Sequence, residues 1–250
     1  MKSVNFENGI MYHGDCLNVL STLNDNSAMI AVTSPPYNLG RCLKEKQTNQ
    51  QIKKRFDKWY EDYLCKEVYQ NQQKQVLTDL SRVCMSSIFY NHRIQYQWHK
   101  SFKNIRNQNM INHPYDWIQD FKIWSIIIWD RLGVGLPQKN RFHSQYEHIY
   151  QINRPTFFDN TTLKLTNIWR IPPTKNNLHP CSFPAKLVNN CILPTTTKNQ
   201  IVIDPYMGSG TTAIQAIKTG RRFIGIERDK KFFDFCCDRI SDEERQYTLF

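Results

Sequence analysis

Gln200-Ile201-Val202-Ile203-Asp204-Pro205-Tyr206-Met207-Gly208-Ser209-Gly210-Thr211-Thr212 reads as a short apolar strand, a turn of small residues and the opening of a helix. The helix over 211–219 is stopped by Gly220, a strand follows over 222–227, and Asp229 caps a final helix ending near Ile240. Gly208-Ser209-Gly210 lets a ligand come close to the backbone at a helix N-terminus, where free N–H groups favour a carboxylate or phosphate. Glu227, at the end of the next strand, is placed to accept both hydroxyls of a ribose. This unit alone also suits NAD, since Gly208, Gly210 and Ala213 satisfy G-x-G-x-x-A. A Walker loop is excluded by the missing Gly-Lys-Thr.

Far upstream, the apolar run Ser27-Ala28-Met29-Ile30-Ala31-Val32 leads into Thr33-Ser34-Pro35-Pro36-Tyr37-Asn38. A β-rich run that meets two prolines is a buried strand ending in a rigid loop, because proline has no N–H for the ladder and restricts its predecessor. Ser34 and Tyr37 therefore sit at a strand's carboxyl end, where open α/β sheets hold their ligands. Alone, Ser-Pro-Pro-Tyr also describes a stiff turn around a packed tyrosine. Paired with the glycine loop it says more, and a hydride-transfer enzyme has no use for it.

Together the two stretches resemble the DNA amino-methyltransferases, with the tetrapeptide before the glycine loop as in that family's β group. The resemblance spans nearly the whole chain. It implies a single α/β domain over 1–250, a Rossmann-like methyltransferase fold whose mostly parallel twisted sheet has helices on both faces. Its catalytic half would be 1–153 and its cofactor half 168–250, with basic DNA-contacting insertions near 39–58, 92–118 and 131–145. It further implies S-adenosyl-L-methionine as methyl donor, bordered by Asp15, His179, Pro180, Asp204, Tyr206, Gly208, Ser209, Gly210, Thr211, Thr212 and Glu227, and catalysis by Ser34, Pro35, Pro36 and Tyr37. Asp15 also reads as a plain helix N-cap. Lesser patterns of the family recur at Tyr90-Asn91, Trp129-Asp130, Tyr146-Glu147 and Trp169-Arg170-Ile171-Pro172-Pro173. Met85-Ser86 replaces the usual glycine pair before Tyr90-Asn91, and His179-Pro180-Cys181-Ser182-Phe183-Pro184 lacks the usual Gln-Lys.

An aromatic amine is a poor nucleophile while its lone pair is delocalised. Ser34 Oγ and the Pro35 carbonyl are expected to accept its two hydrogens and turn the lone pair toward the methyl group. The base must leave the duplex for this, and Tyr37 is the expected stacking platform. Serine, where many adenine enzymes of the resembled group have aspartate, favours N4 of cytosine, with N6 of adenine as the alternative. A reading of another class is an inactive methyltransferase-like DNA-binding subunit.

At 250 residues and 40% apolar content the chain can bury one substantial core. Its net charge of +11 is concentrated. Residues 41–58 carry Arg41, Lys44, Lys46, Lys53, Lys54, Arg55 and Lys58 against Glu45 and Asp57. Arg93, Lys100, Lys103 and Arg106 form a second basic segment, and Arg131, Lys139 and Arg141 a third. Three such segments after predicted strand ends favour a polyanion, and the resemblance implies that it is double-stranded DNA recognised by sequence. The resemblance admits a homodimer and a cognate restriction endonuclease. Eight cysteines without a C-x-x-C pair indicate no metal site and no disulfide framework. With no apolar run of membrane-spanning length and no signal peptide, a cytoplasmic location is expected.

The rest reads as scaffold. A strand over 9–14 precedes a helix over 15–23, 39–58 is a polar loop, and 59–84 fits a long helix interrupted by polar residues 70–75. Further strands are predicted over 87–91, 125–130 and 147–152.

Overall fold

Ile30-Ala31-Val32-Thr33 has no exposed residue, and neither has Ile88-Phe89-Tyr90-Asn91-His92 beside it. Strands apolar on both faces need cover on both faces, and this requirement shapes the molecule. The computed structural model describes residues 2–38, 64, 66–96, 111–133, 142–174 and 183–247. In chain order the strands are β1 (Lys2–Phe6), β2 (Gly9–His13), β3 (Ile30–Thr33), β4 (Ile88–His92), β5 (Gln95–Tyr96), β6 (Ile111–Asn112), β7 (Ile123–Asp130), β8 (Tyr146–Ile152), β9 (Ile168–Arg170), β10 (Ile201–Asp204) and β11 (Arg222–Glu227). The helices are α1 (Cys16–Leu20), α2 (Lys66–Val83), α3 (Tyr115–Ile118), α4 (Ala185–Thr195), α5 (Thr211–Lys218) and α6 (Lys230–Tyr247).

The main sheet has the order β1-β2-β11-β10-β3-β4-β8-β7-β9, and β5 pairs with β6 apart from it. From β2 to β4 all neighbours are parallel, β1 and β8 run antiparallel to theirs, and β9 is parallel to β7. One face is packed by Val19 and Leu20 of α1, Leu77 and Leu80 of α2, and Trp117 of α3, against Ala31, Ile88 and Ile203. The other is packed by Leu187 and Ile192 of α4, Ala213 and Ile217 of α5, and Phe233 and Ile240 of α6, against Val32, Val202 and Phe223. This is a Rossmann-like, largely parallel sheet with helices on both sides.

The register places the two diagnostic stretches next to each other. Ile30 lies opposite Val202 and Ala31 opposite Ile203, so β3 and β10 end side by side. Thr33 Oγ1 donates to Asp204 Oδ1 at 2.9 Å across that seam, joining residues far apart in sequence.

Several elements differ from the sequence reading. The helix expected over 59–84 is described from Lys66, with 39–63 and 65 outside the described residues. The final helix runs past Ile240 to Tyr247, where its face is polar: Glu244 accepts from the backbone N–H groups of Glu7 and Asn8. α4 was not foreseen, since Pro184 at its N-cap and Pro194 inside it read as helix breakers. β1 is an edge strand with an alternating pattern in only five residues. The stretch 92–118, read as a basic insertion, contributes Trp117 and Ile118 to the core. At the turn where the resemblance expects two glycines, Met85 N–H bonds Ala28 O and Ser86 Oγ accepts from Thr156 N–H. Among the described residues no helix is long and apolar enough to cross a membrane.

Candidate active site

Past Thr33 the chain leaves the sheet, because Pro35 and Pro36 cannot pair. Asn38, at the end of the described loop, adopts a positive φ of 50° and donates through Nδ2 to Leu64 O. The Tyr37 hydroxyl lies against the carboxyl end of β4 and the start of β8. It lies 2.5 Å from Asn91 Oδ1, 2.8 Å from Glu147 Oε2 and 3.1 Å from Ser34 Oγ. Ser34 Oγ is also 3.3 Å from Asn91 Oδ1. Asn91 Nδ2 donates to His148 O, so the amide oxygen must face the two hydroxyls. Glu147 is only 5% exposed and accepts from Arg131 Nη1 at 2.9 Å. Burial, with the Glu147 carboxylate beside it, pushes the Tyr37 hydroxyl well above the usual phenol range.

A second layer fixes this loop from below. Tyr69, buried on α2, donates to Pro36 O at 2.7 Å, and its oxygen lies 2.8 Å from His92 Nε2. The His92 ring sits 4.7 Å from that of Tyr37 and edge-on to Trp117. Burial lowers the His92 imidazole to about 3, so it is neutral packing and no proton carrier at ordinary pH. Arg93 lies 5.7 Å from the centre of the Tyr37 ring.

Across the seam, β10 ends in Asp204, whose carboxylate accepts from Thr33 Oγ1, Thr212 Oγ1 and Tyr206 N–H. Burial raises it to about 6. Asp204 and Thr212 thus tie β3, β10 and α5 together. The Tyr206 hydroxyl points the other way, accepting from Gln73 of α2, whose amide oxygen in turn accepts from Tyr90. That pairing accounts for the one buried polar residue in the middle of α2, Gln73, while Asn71, Lys74 and Gln75 there are exposed. Gly208 and Gly210 have positive φ, 53° and 84°, and a Cβ on Gly210 would stand 2.6 Å from Cys236 Sγ. The loop is therefore bare backbone at the start of α5, and Thr211 is half-buried behind it. Ser209 contributes its carbonyl to Arg239.

Glu227 lies beside this loop. Its Oε2 accepts from Gly208 N–H at 2.7 Å and its Oε1 from Asp229 N–H at 2.8 Å, and the Arg228 backbone N–H also faces the carboxyl. Burial raises its carboxyl to about 7. Asp15 caps α1 through Leu17 N–H and Asn18 N–H, one strand over, since β2 pairs directly with β11.

Of the residues singled out in the sequence, Ser34 to Tyr37 form one cluster, while Asp204, Gly208 to Thr212 and Glu227 form the neighbouring one. His179 and Pro180 lie outside the described residues, as do Arg41, Lys44, Lys46, Lys53, Lys54, Arg55, Lys100, Lys103, Arg106, Lys139 and Arg141. Arg131, counted there with the third basic segment, is bound to Glu147 and lies 5.5 Å from the centre of the Trp129 ring. Sequence reasoning assigned no catalytic role to Tyr69, Asn91, Arg131 or Glu147. The available signal was a charged residue at the edge of an otherwise apolar strand, Glu147-His148-Ile149-Tyr150.

The fold, with a proline-stopped strand beside a glycine-loop strand, defines a methyltransferase-type α/β protein. The chain belongs to the DNA methylase family: the model of the N6/N4 DNA methylases matches residues 28–237. Among its relatives, the type II methyltransferase M2.MboI of Moraxella bovis is 27% identical, over 90% of this chain and 84% of that protein. M.ScaI of Streptomyces caespitosus is 24% identical, over 94% and 82%. Among solved structures, the cytosine-N4-specific PvuII DNA methyltransferase superposes with a TM-score of 0.69 at 18% identity, covering 97% of this chain and 93% of that one. A proposed DNA modification methylase of Thermus thermophilus, solved with S-adenosyl-L-methionine, gives 0.66 at 20% identity, covering 93% of each chain.

Proposed function

We propose that this DNA methylase transfers a methyl group from S-adenosyl-L-methionine to N4 of a cytosine flipped from double-stranded DNA. The observation that carries the choice of base is Ser34, a hydroxyl rather than a carboxylate, at the carboxyl end of β3. A hydroxyl is the weaker acceptor and takes up a proton less readily, which suits a cytosine amine better than the aspartate found in many adenine enzymes of this group. On this reading a cognate endonuclease accompanies the enzyme, as the names of its type II relatives imply.

The residues fit the donor. Gly208 and Gly210, in left-handed backbone at the start of α5, put no side chain in the way of a donor, and Glu227 beside them is a carboxylate able to accept from a ribose hydroxyl. Asp15, which caps α1 just past the end of β2, the strand paired with β11, borders the same site on this reading. When bound, S-adenosyl-L-methionine supplies a sulfonium methyl that an amine nitrogen can attack. Ser34 Oγ and the Pro35 carbonyl accept the amine hydrogens and so free the nitrogen lone pair. The two prolines, with Tyr69 holding the Pro36 carbonyl, keep these acceptors rigid. Arg93 and the basic segments hold the phosphates.

Ser34→Ala tests this reading. Folding and cofactor affinity should stay at wild-type values, while methyl transfer to DNA falls by about a hundredfold or more, the scale of removing one preorganised polar partner. Wild-type turnover in that variant would end the amine-acceptor mechanism.

A further inference from the structure

Four oxygen atoms of the site crowd together with too few protons among them. Ser34 Oγ, Tyr37 OH, Asn91 Oδ1 and Glu147 Oε2 make contacts of 3.1, 3.3, 2.5 and 2.8 Å. Each contact calls for one hydrogen between its oxygens. The two hydroxyls bring one each, whereas an amide oxygen and an ionised carboxylate bring none. The amide of Asn91 cannot turn to offer an N–H, because its nitrogen is already bound to His148 O. Arg131 forms an ion pair with Glu147 Oε1 at 2.9 Å, so the carboxylate enters this count as an anion. The cluster therefore draws both hydroxyl protons inward and has room for a third.

We propose that Glu147, acting through Tyr37, is the positioning residue that keeps Ser34 a hydrogen-bond acceptor and then takes up the proton the methylated amine sheds. This deepens the reading of Ser34 above and rests on it. With its own proton turned inward to Tyr37 or Asn91, Ser34 presents lone pairs to the substrate. Once the nitrogen has gained its carbon it carries one proton too many. That N–H bond breaks with its electron pair staying on nitrogen, and the proton passes to Ser34 Oγ. The Ser34 proton moves over 3.1 Å to Tyr37, and the Tyr37 proton over 2.8 Å to Glu147. A cationic amine and a carboxylate become a neutral amine and a carboxylic acid, and the Ser34 hydroxyl, now carrying the proton from the amine, can turn it to Asn91 Oδ1 at 3.3 Å, a contact that lacked one. Asn91 cannot be the endpoint, since an amide is no base in this range. Tyr37 is no endpoint either: its environment opposes the phenolate that would be the base, so it takes a proton only by passing its own on. Arg131 keeps its charge throughout, and because its side chain is 36% exposed against 7% for that of Glu147, solvent reaches the carboxyl along it and water takes the proton away.

The test is a double-mutant cycle with Glu147→Gln and Tyr37→Phe on the full chain, with DNA substrate and S-adenosyl-L-methionine. Each single variant should lower kcat by about tenfold or more while leaving KM for DNA unchanged. The double variant should be no slower than the slower single one, because both break one path. Calorimetric affinity for S-adenosyl-L-methionine and the fluorescence of 2-aminopurine at the target site should match wild type. A wild-type kcat in Glu147→Gln, losses that multiply, or a loss traced to weaker binding would each overturn the proposal. Should Glu147→Gln fail to fold, Tyr37→Phe, which keeps the ring, carries the same expectation, and a wild-type kcat there overturns it. Normal turnover in Ser34→Ala would instead remove the reading beneath it.

Discussion

On the proposed reading Glu227 serves both the fold and the ligand. Bound to the N–H groups of Gly208 and Asp229, it holds the glycine loop against the end of β11. Because burial raises its carboxyl from the ordinary 4.5 to about 7, a fraction of the protein is protonated there at neutral pH. The ionised form is the better acceptor for ribose hydroxyls, so affinity for S-adenosyl-L-methionine should rise as pH climbs from about 6 to about 8. Glu227→Gln should flatten that dependence, and Glu227→Ala should weaken binding by about tenfold or more, both read by calorimetry. Unchanged affinity in both variants would make Glu227 a structural brace only. The sequence marked Glu227 because a carboxylate ending a strand after a glycine loop has few other uses. It marks Glu147 only as part of a lesser family pattern and gives it no role, since its partners Tyr37 and Arg131 come from the loop after β3 and from the end of β7. Only the pairing of those strands with β4 and β8 brings the three together.

At the scale of elements, the seam between β3 and β10 carries both motifs, and Asp204 is its hub. Asp204→Ala leaves two hydroxyls and one backbone N–H without their acceptor in a buried place, which should cost about 2–4 kcal/mol of stability in urea unfolding. Its carboxyl stands near 6 in the folded protein against an ordinary 3.8, so the native state holds the proton more tightly than the unfolded chain. The associated stability is present at low pH and is lost as pH rises from about 4 to about 6. Asp204→Asn should lack that slope. The strands of this seam were legible because they are short apolar runs closed by proline or glycine. α4 was not, because Pro184 and Pro194 lie at its start and near its end, where the first turn and the tertiary packing of Leu187, Val188 and Ile192 tolerate them. The last two turns of α6 were missed for a related reason. They bury no apolar face and are held by polar contacts such as Lys218–Glu243 and Glu244 with Asn8.

At the scale of the molecule, β3 and β4 bring Ser34 and Asn91 to the same end of the sheet as the glycine loop, and the net charge of +11 gives that loop-bearing chain its polyanion partner. Lys53, Lys54 and Arg55 fall outside the described residues, so their role rests on charge placement after the catalytic loop. Replacing all three with alanine should weaken DNA binding and lower its salt dependence, by up to about 0.9 in slope for every phosphate left unneutralised, with cofactor affinity unchanged. A slope that stays at its wild-type value would place the DNA path elsewhere. Above all, the molecule is arranged to deliver a methyl group to an exocyclic amine and to no ring carbon. Mass spectrometry of nucleosides from DNA incubated with the protein and isotopically labelled S-adenosyl-L-methionine tests this most directly. Label in N4-methylcytosine is the predicted result; label in 5-methylcytosine, or none in any nucleoside, would contradict it, and label in N6-methyladenine would contradict the assignment of the base.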